Sequence, residues 1–348
     1  MFYHIHLEQL DERYTVQWYR WFASELTKRQ VAYINISGEA LSPETPSGQF
    51  LHWASRCHYT AAQNKKIAFQ FAEQLVDDDD IFYFADIWHP GLEAVAYMAE
   101  LNNIKVKIYA HQHAGVFDKT DIVRPLVSWG AYQEAAWYRI CDKVFVGSVY
   151  LKSTILNGLG AAGLPYQDNI VVTGNPYSES DIKLSLSEGH FKHNGKQIVV
   201  WPHRTSEDKN PTDFFRLVNR LAPEYPDVRW IITSGRAHDT YETHNASIEF
   251  FTLTKPDYYA LLNSSTLLVS TAYHENFGYT IREATTFETP ILCPRRACYP
   301  EMILSSNNLY NDFGELVAKT SSALKNGLSV ATLKPNNALE NIFEEMSL

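Results

Sequence analysis

The feature that most constrains this chain is its rhythm: short, continuous apolar runs alternate with longer amphipathic stretches from end to end. Strands crossed over by helices, and so gathered into parallel sheets, produce that pattern. Strands are expected at Phe2 to His6, Val31 to Ile36, Ile81 to Phe84, Val106 to Ala110, Lys143 to Val146 and Ile170 to Thr173. Asp181 to Lys196 is polar and lacks an apolar period, so it reads as a linker. The rhythm then restarts with strands Gln197 to Trp201, Arg229 to Thr233, Ser247 to Phe251 and Leu267 to Ser270, and with helices Pro211 to Leu221 and Pro256 to Leu262. At 348 residues two domains are expected. We divide them as 1–185 and 186–335, both Rossmann-like, with a closing helix over 336–348 that packs back on the first domain.

Helix starts are legible in their chemistry. Asn210 before Pro211, and Thr254 two residues before Pro256, place a capping side chain ahead of a proline in the first turn. Strands in such sheets aim their carboxyl ends at a crevice, so functional motifs belong just after strands.

Composition narrows the function classes. A formal charge of −10 argues against a broad basic surface for nucleic acid, though not against a local basic groove. The four cysteines Cys57, Cys141, Cys293 and Cys298 form no C-x-x-C pair, and no leader-like apolar segment follows Met1, so a reduced cytoplasmic address is expected. No window approaches the roughly 20 apolar residues that a membrane span needs.

The densest motif runs from Ser270 to Ala284 and contains Glu275 and Glu283, eight positions apart. Along a helix that separation reaches up to ~12 Å, enough to bracket a diphosphate. Between them, the amides of Phe277, Gly278 and Tyr279, with Asn276 alongside, would open a helix whose N–H groups favour phosphate. The plainer alternative makes Glu275 a helix cap and Glu283 a surface residue. After strand Gln197 to Trp201 come Arg204 and Lys209, two fixed cations able to stabilise a departing nucleoside diphosphate without a metal ion.

In the first half, His111 and His113 follow strand Val106 to Ala110, and Asp86, Trp88 and His89 follow strand Ile81 to Phe84. An H-x-H pair can hold a metal, with Asp118 or Asp86 as third ligand, but the set is incomplete and no metal is expected. Asp77 to Asp80 reads as a solvated loop, and Trp18, Trp21 and Trp53 as core rather than stacking platforms.

Ile198 to Pro300 resembles the donor-binding half of family-4-like retaining glycosyltransferases, which share the paired glutamates and an upstream Arg/Lys pair. More narrowly, Val200 to Arg204, Asp208-Lys209, Ser270 to Ala272, His274-Glu275, Phe277-Gly278, Glu283-Ala284, Cys293-Pro294 and Tyr299 to Glu301 are similar to the tRNA-queuosine mannosyltransferase group. The resemblance implies an α/β, GT-B fold of two Rossmann-like domains facing a central cleft, and a UDP- or GDP-sugar as substrate with no further cofactor. By it, Arg204 and Lys209 hold the diphosphate, Glu275 the sugar hydroxyls and Glu283 the ribose, while Gly235 lies beneath the nucleotide with Ser234 and Arg236 beside it. One of His111 and His113 meets the sugar. The glycine-rich loop common after the first strand of the family is missing: Leu7 to Trp18 contains no glycine.

That opening segment, with Glu8, Arg13, Thr15 and Trp18, looks like phage-associated glycosyltransferases. The acceptor implied is a hydroxyl on a modified nucleobase, hydroxymethylcytosine in phage DNA or a base in tRNA, with Glu8, Arg13, Thr15, Asp86, Trp88 and His89 as acceptor-side residues. A phage-encoded enzyme would work in the host cytoplasm. A glycan, lipid or protein hydroxyl is the alternative acceptor. An epimerase or phosphorylase on the same fold, or a non-catalytic nucleotide-sugar or nucleic-acid binding module, are the alternative functions.

Overall fold

A computed structural model of the protein describes residues 1–10, 13–41, 52–192, 194–233 and 248–348. The chain forms two compact units, Met1–Tyr177 with Asn336–Leu348, and Ser178–Pro335.

The first unit runs β1 (Phe2–Ile5), α1 (Thr15–Lys28), β2 (Tyr33–Ile36), α2 (Trp53–Ala72), β3 (Ile81–Phe84), α3 (Gly91–Asn102), β4 (Lys107–Gln112), α4 (Val127–Ile140), β5 (Lys143–Val146), α5 (Val149–Ala161) and β6 (Ile170–Val172). All strands are parallel, in the order β2-β1-β3-β4-β5-β6. Helices bury both faces of such a sheet, which is why its strands read as unbroken apolar runs rather than as alternation. In β3 successive side chains still part to opposite faces: Phe82 and Phe84 join the core with Val95, Tyr138 and Val144. Tyr83 stacks on Phe22 of α1 at 4.7 Å between centroids.

The second unit continues with α6 (Glu179–Leu186), β7 (Ile198–Trp201), α7 (Pro211–Leu221), β8 (Arg229–Ile232), β9 (Ile248–Phe250), α8 (Lys255–Ser264), β10 (Leu267–Val269), α9 (Tyr279–Thr286), β11 (Ile291–Pro294), α10 (Tyr299–Met302), β12 (Leu309–Tyr310) and α11 (Phe313–Asn326). Its parallel sheet has the order β12-β11-β10-β7-β8-β9. Trp201, Phe214, Leu217, Trp230 and Val269 form the centre of its core. The chain then returns to the first unit as α12 (Ala338–Glu345). There Phe343 packs on Phe22 at 5.6 Å, and Glu345 pairs with Lys143 at 2.7 Å.

Three expectations need correction. The segment read as a linker begins as a helix, α6: Ser178 caps it by accepting from the Asp181 amide at 3.3 Å, and only Ile182 is buried, so no apolar period shows. The aspartate run is not wholly solvated, because Asp80 is buried and accepts from the Asp77 amide at 3.0 Å, fixing the turn into β3. Trp53, at the start of α2, is about half exposed rather than core.

Candidate functional site

In the second sheet the chain leaves β7 toward β8 and β9 on one side, and then returns to place β10 on the other. The carboxyl ends of β7 and β10 therefore flank the topological switch point, where open α/β sheets bind ligands. Arg204 and Lys209 follow β7; Ser270 to Gly278 follows β10.

These two loops are clamped together by their own backbone and side chains. The Asp208 carbonyl accepts from the amides of Tyr273 at 2.9 Å and His274 at 3.2 Å. Trp201 Nε1 donates to Thr271 Oγ1 at 2.8 Å, and that hydroxyl lies 2.8 Å from the Asn210 carbonyl it donates to. Asn210 adopts the left-handed conformation, φ 51°, which asparagine tolerates, and its side chain caps α7. Deeper in, a hydrogen-bonded chain joins His203 Nε2 to Ser270 Oγ and Ser270 Oγ to the Tyr299 hydroxyl, each at 2.8 Å. Burial, with Lys209 nearby, pushes the His203 imidazole down to about 3, so it is neutral at physiological pH.

On this frame sit the charged groups. Lys209 Nζ lies 3.2 Å from Glu275 Oε2 and 3.3 Å from Asp208 Oδ2, and donates to the His274 carbonyl at 2.9 Å. Arg204, with its side chain about half exposed, lies 3.8 Å from Asp208. Burial opposes charge on Glu275, but Lys209 and the Gly278 amide bring its carboxyl down to about 2. The same pairing overcomes burial at Lys209 and raises its pKa.

Glu275 Oε1 accepts from the Gly278 amide at 3.2 Å and faces that of Phe277 at 3.5 Å, so it caps the loop that starts α9. Gly278 has φ 81°, and a Cβ there would come 2.9 Å from Met302 Cε. Tyr279 begins α9, and Asn276 lies beside it in the loop. Glu283, one turn into α9, is 3% exposed and not a surface residue. Its Oε1 meets Lys255 Nζ at 3.0 Å and the Tyr259 hydroxyl at 3.3 Å. Ser234, Gly235 and Arg236 lie outside the described residues.

The first sheet has its own switch point between β1 and β3. Glu8, Arg13 and Thr15 follow β1, and Asp86, Trp88 and His89 follow β3. Asp86 pairs with Arg56 of α2 at 3.0 Å and accepts from the Trp88 amide at 3.1 Å. Arg13 is partly exposed. Glu8 and Thr15 are buried, accepting from the Ser55 hydroxyl at 2.9 Å and the Leu10 amide at 3.0 Å. His89 is buried with both nitrogens engaged, Nε2 by Gln63 at 3.0 Å and Nδ1 by the Gly91 amide at 2.9 Å; it braces the start of α3. Trp88 turns its indole N–H onto buried Glu134 at 2.9 Å and packs edge-on against Trp137.

The two histidines differ: β4 runs on to Gln112, so His111 lies inside the strand rather than after it, and only His113 follows it. His111 is fully buried, its Nε2 2.9 Å from Asn175 Oδ1. His113 is partly exposed, with Nε2 2.8 Å from the Ala85 carbonyl and Nδ1 3.3 Å from the Tyr14 hydroxyl. Among the described residues no three His, Cys, Asp or Glu side chains gather as a metal-ligand set. Nor is any described helix long and apolar enough to cross a membrane.

His203 and Asp208 stand inside the motifs quoted above but carry no role there, and Lys255, Tyr259, Arg56 and Glu134 are not among the expected site residues. Asp208 carried a signal, lying between two expected phosphate ligands; the others became visible only through their partners.

Residues 184–337 match the family model "Glycosyl transferases group 1". A tRNA-queuosine alpha-mannosyltransferase of Drosophila melanogaster is 28% identical over 129 residues, 35% of this chain and 34% of that protein. The chain thus spans about a third of the length of this curated relative. Among solved structures, a UDP-forming alpha,alpha-trehalose-phosphate synthase of Burkholderia vietnamiensis superposes with TM-score 0.65 at 11% identity, covering 99% of this chain and 93% of that one. An E. coli trehalose-6-phosphate structure bound with UDP-2-fluoro glucose gives 0.62 at 12% identity over the same shares, 99% and 93%. The chain therefore has the GT-B fold, and its second unit carries the sequence pattern of the glycosyl transferases group 1 family.

Proposed function

We propose that this protein is a retaining glycosyltransferase that carries a sugar from a UDP- or GDP-linked donor to a hydroxyl on a modified nucleobase. The observation that carries the donor half is the Arg204, Lys209 and Glu275 arrangement at the switch point of the second sheet. Two cations held on one loop meet the charge that develops as a diphosphate leaves. Glu275, kept ionised, accepts from sugar hydroxyls, and Glu283 from those of the ribose.

In this reaction the acceptor oxygen bonds to the anomeric carbon on the face from which the diphosphate departs. The bond from that carbon to the phosphate oxygen breaks, and the acceptor proton passes to the departing phosphate. No side-chain base is needed. In the first unit, partly exposed His113 is the better suited of the two histidines to meet the sugar. Asp86, Trp88 and Arg13 are the acceptor-side residues that are partly exposed in that unit.

Similarity to a tRNA-queuosine alpha-mannosyltransferase supports a nucleobase acceptor. A net charge of −10 fits recognition of one presented base better than broad phosphate binding. The test is transfer of labelled sugar from UDP-glucose and GDP-mannose to DNA containing hydroxymethylcytosine and to queuosine-containing tRNA. Label on either nucleic acid supports the reading. Sugar released or epimerised without acceptor, or transferred only to glycans, lipids or proteins, contradicts it.

A further inference from the structure

Glu283 is almost wholly buried, and a carboxylate in that position requires a partner. Two side chains of α8 supply it. Lys255 stands in the first turn, fixed by the Thr254 cap and Pro256, with its ammonium 5.6 and 5.4 Å from the Tyr258 and Tyr259 ring centres. Tyr259 is fully buried and brings its hydroxyl from the same side. Both contacts, at 3.0 and 3.3 Å, fall on Oε1, and neither uses Oε2.

We propose that Lys255, with Tyr259, is a positioning residue for nucleotide recognition: the pair holds Glu283 by one oxygen and keeps the other a pure acceptor for the two ribose hydroxyls. The site thereby selects ribonucleotides over 2′-deoxyribonucleotides. This rests on the reading that Glu283 meets the ribose of the donor. An ionised carboxylate only accepts, and a ribose diol offers two donors, so the match is complete; a 2′-deoxy nucleotide leaves a buried lone pair unpaired. Without the ammonium, Oε1 keeps only the longer Tyr259 contact, and the carboxylate is no longer held with its second oxygen turned to the diol.

Calorimetry on the full chain with UDP, GDP and their 2′-deoxy counterparts tests this. Wild type should prefer the ribonucleotide by about tenfold or more. Lys255→Met should weaken ribonucleotide binding about tenfold and remove most of the preference. Lys255→Arg should retain it. Tyr259→Phe, which removes only a hydroxyl, should move in the same direction by less, and keeps the test available should Lys255→Met melt early. In a Glu283→Ala background Lys255→Met should add nothing. An unchanged preference in Lys255→Met, or a loss as large with Glu283 absent as present, overturns the proposal while leaving the donor site standing. Failure of wild type to bind either ribonucleotide overturns the donor reading, and this inference with it.

Discussion

Nζ of Lys209 lies 3.2 Å from Oε2 of Glu275, while the other oxygen of that carboxylate accepts the Gly278 amide ahead of α9. One cation, from the loop after β7, therefore holds a carboxylate within the loop after β10. Position and charge of both groups depend on the pair, because both side chains are mostly buried, 14% and 20% exposed.

On the proposed donor reading, Lys209→Met should then do more than remove one phosphate ligand. It leaves Glu275 buried without its counter-charge, at a cost on the order of 3 kcal/mol in stability. Transfer should fall by about a hundredfold or more, since a fixed charge opposite the leaving group is lost. Urea melts and single-turnover rates read the two effects separately.

The pH dependence follows from the same pair. The Glu275 carboxyl is depressed in the folded protein to about 2. Its contribution to stability is therefore fully present above its unfolded value near ~4.3, and is lost as pH falls toward about 2. Glu275→Gln should be less stable than wild type at pH 6, on the order of 2 kcal/mol, with the gap closing between pH 4 and pH 2. A gap that stays constant over that range argues against the ion pair.

Glu134 in the first unit runs the other way. Burial raises its carboxyl to about 7, against the opposing effect of hydrogen bonds from the Val116 amide, Trp88 and Tyr138. Once Glu134 is protonated, its Oε2 can donate to the Tyr138 oxygen across the 3.1 Å contact, leaving the Tyr138 hydrogen to Gln112 at 2.8 Å. A raised folded value means stability present below the unfolded value near ~4.3 and lost as pH rises through about 7. Glu134→Gln, which imitates the protonated group, should flatten the decline of the melting temperature between pH 5 and pH 8. An unchanged slope contradicts the assignment.

Much of this molecule is legible in its sequence, for reasons visible at particular residues. β3, β5 and α7 begin and end where the apolar runs and the Asn210-Pro211 start place them. β11 and β12 escaped notice: Ile291 to Pro294 is a short apolar run hemmed by prolines, and β12 is two residues long, too short for any periodicity. In the site, the charged residues were legible because strand ends and helix starts announce themselves. The supports were not. Nothing in the spacing of His203, Ser270 and Tyr299 foretells a hydrogen-bonded chain, since these residues come together only when β7, β10 and α10 pack. Lys255 likewise reads as an ordinary first-turn lysine until α8 lies beside α9.

On the proposed donor reading, the second unit holds the diphosphate of a nucleotide sugar through Arg204 and Lys209. Titrating UDP and GDP into wild type and Arg204→Ala tests it most directly, because Arg204 is the more exposed of the two cations. One of the nucleotides should bind wild type and raise its melting temperature, and Arg204→Ala should weaken that binding by about tenfold to a hundredfold with its fold intact. Binding of neither nucleotide to wild type, or equal binding to both proteins, would contradict it.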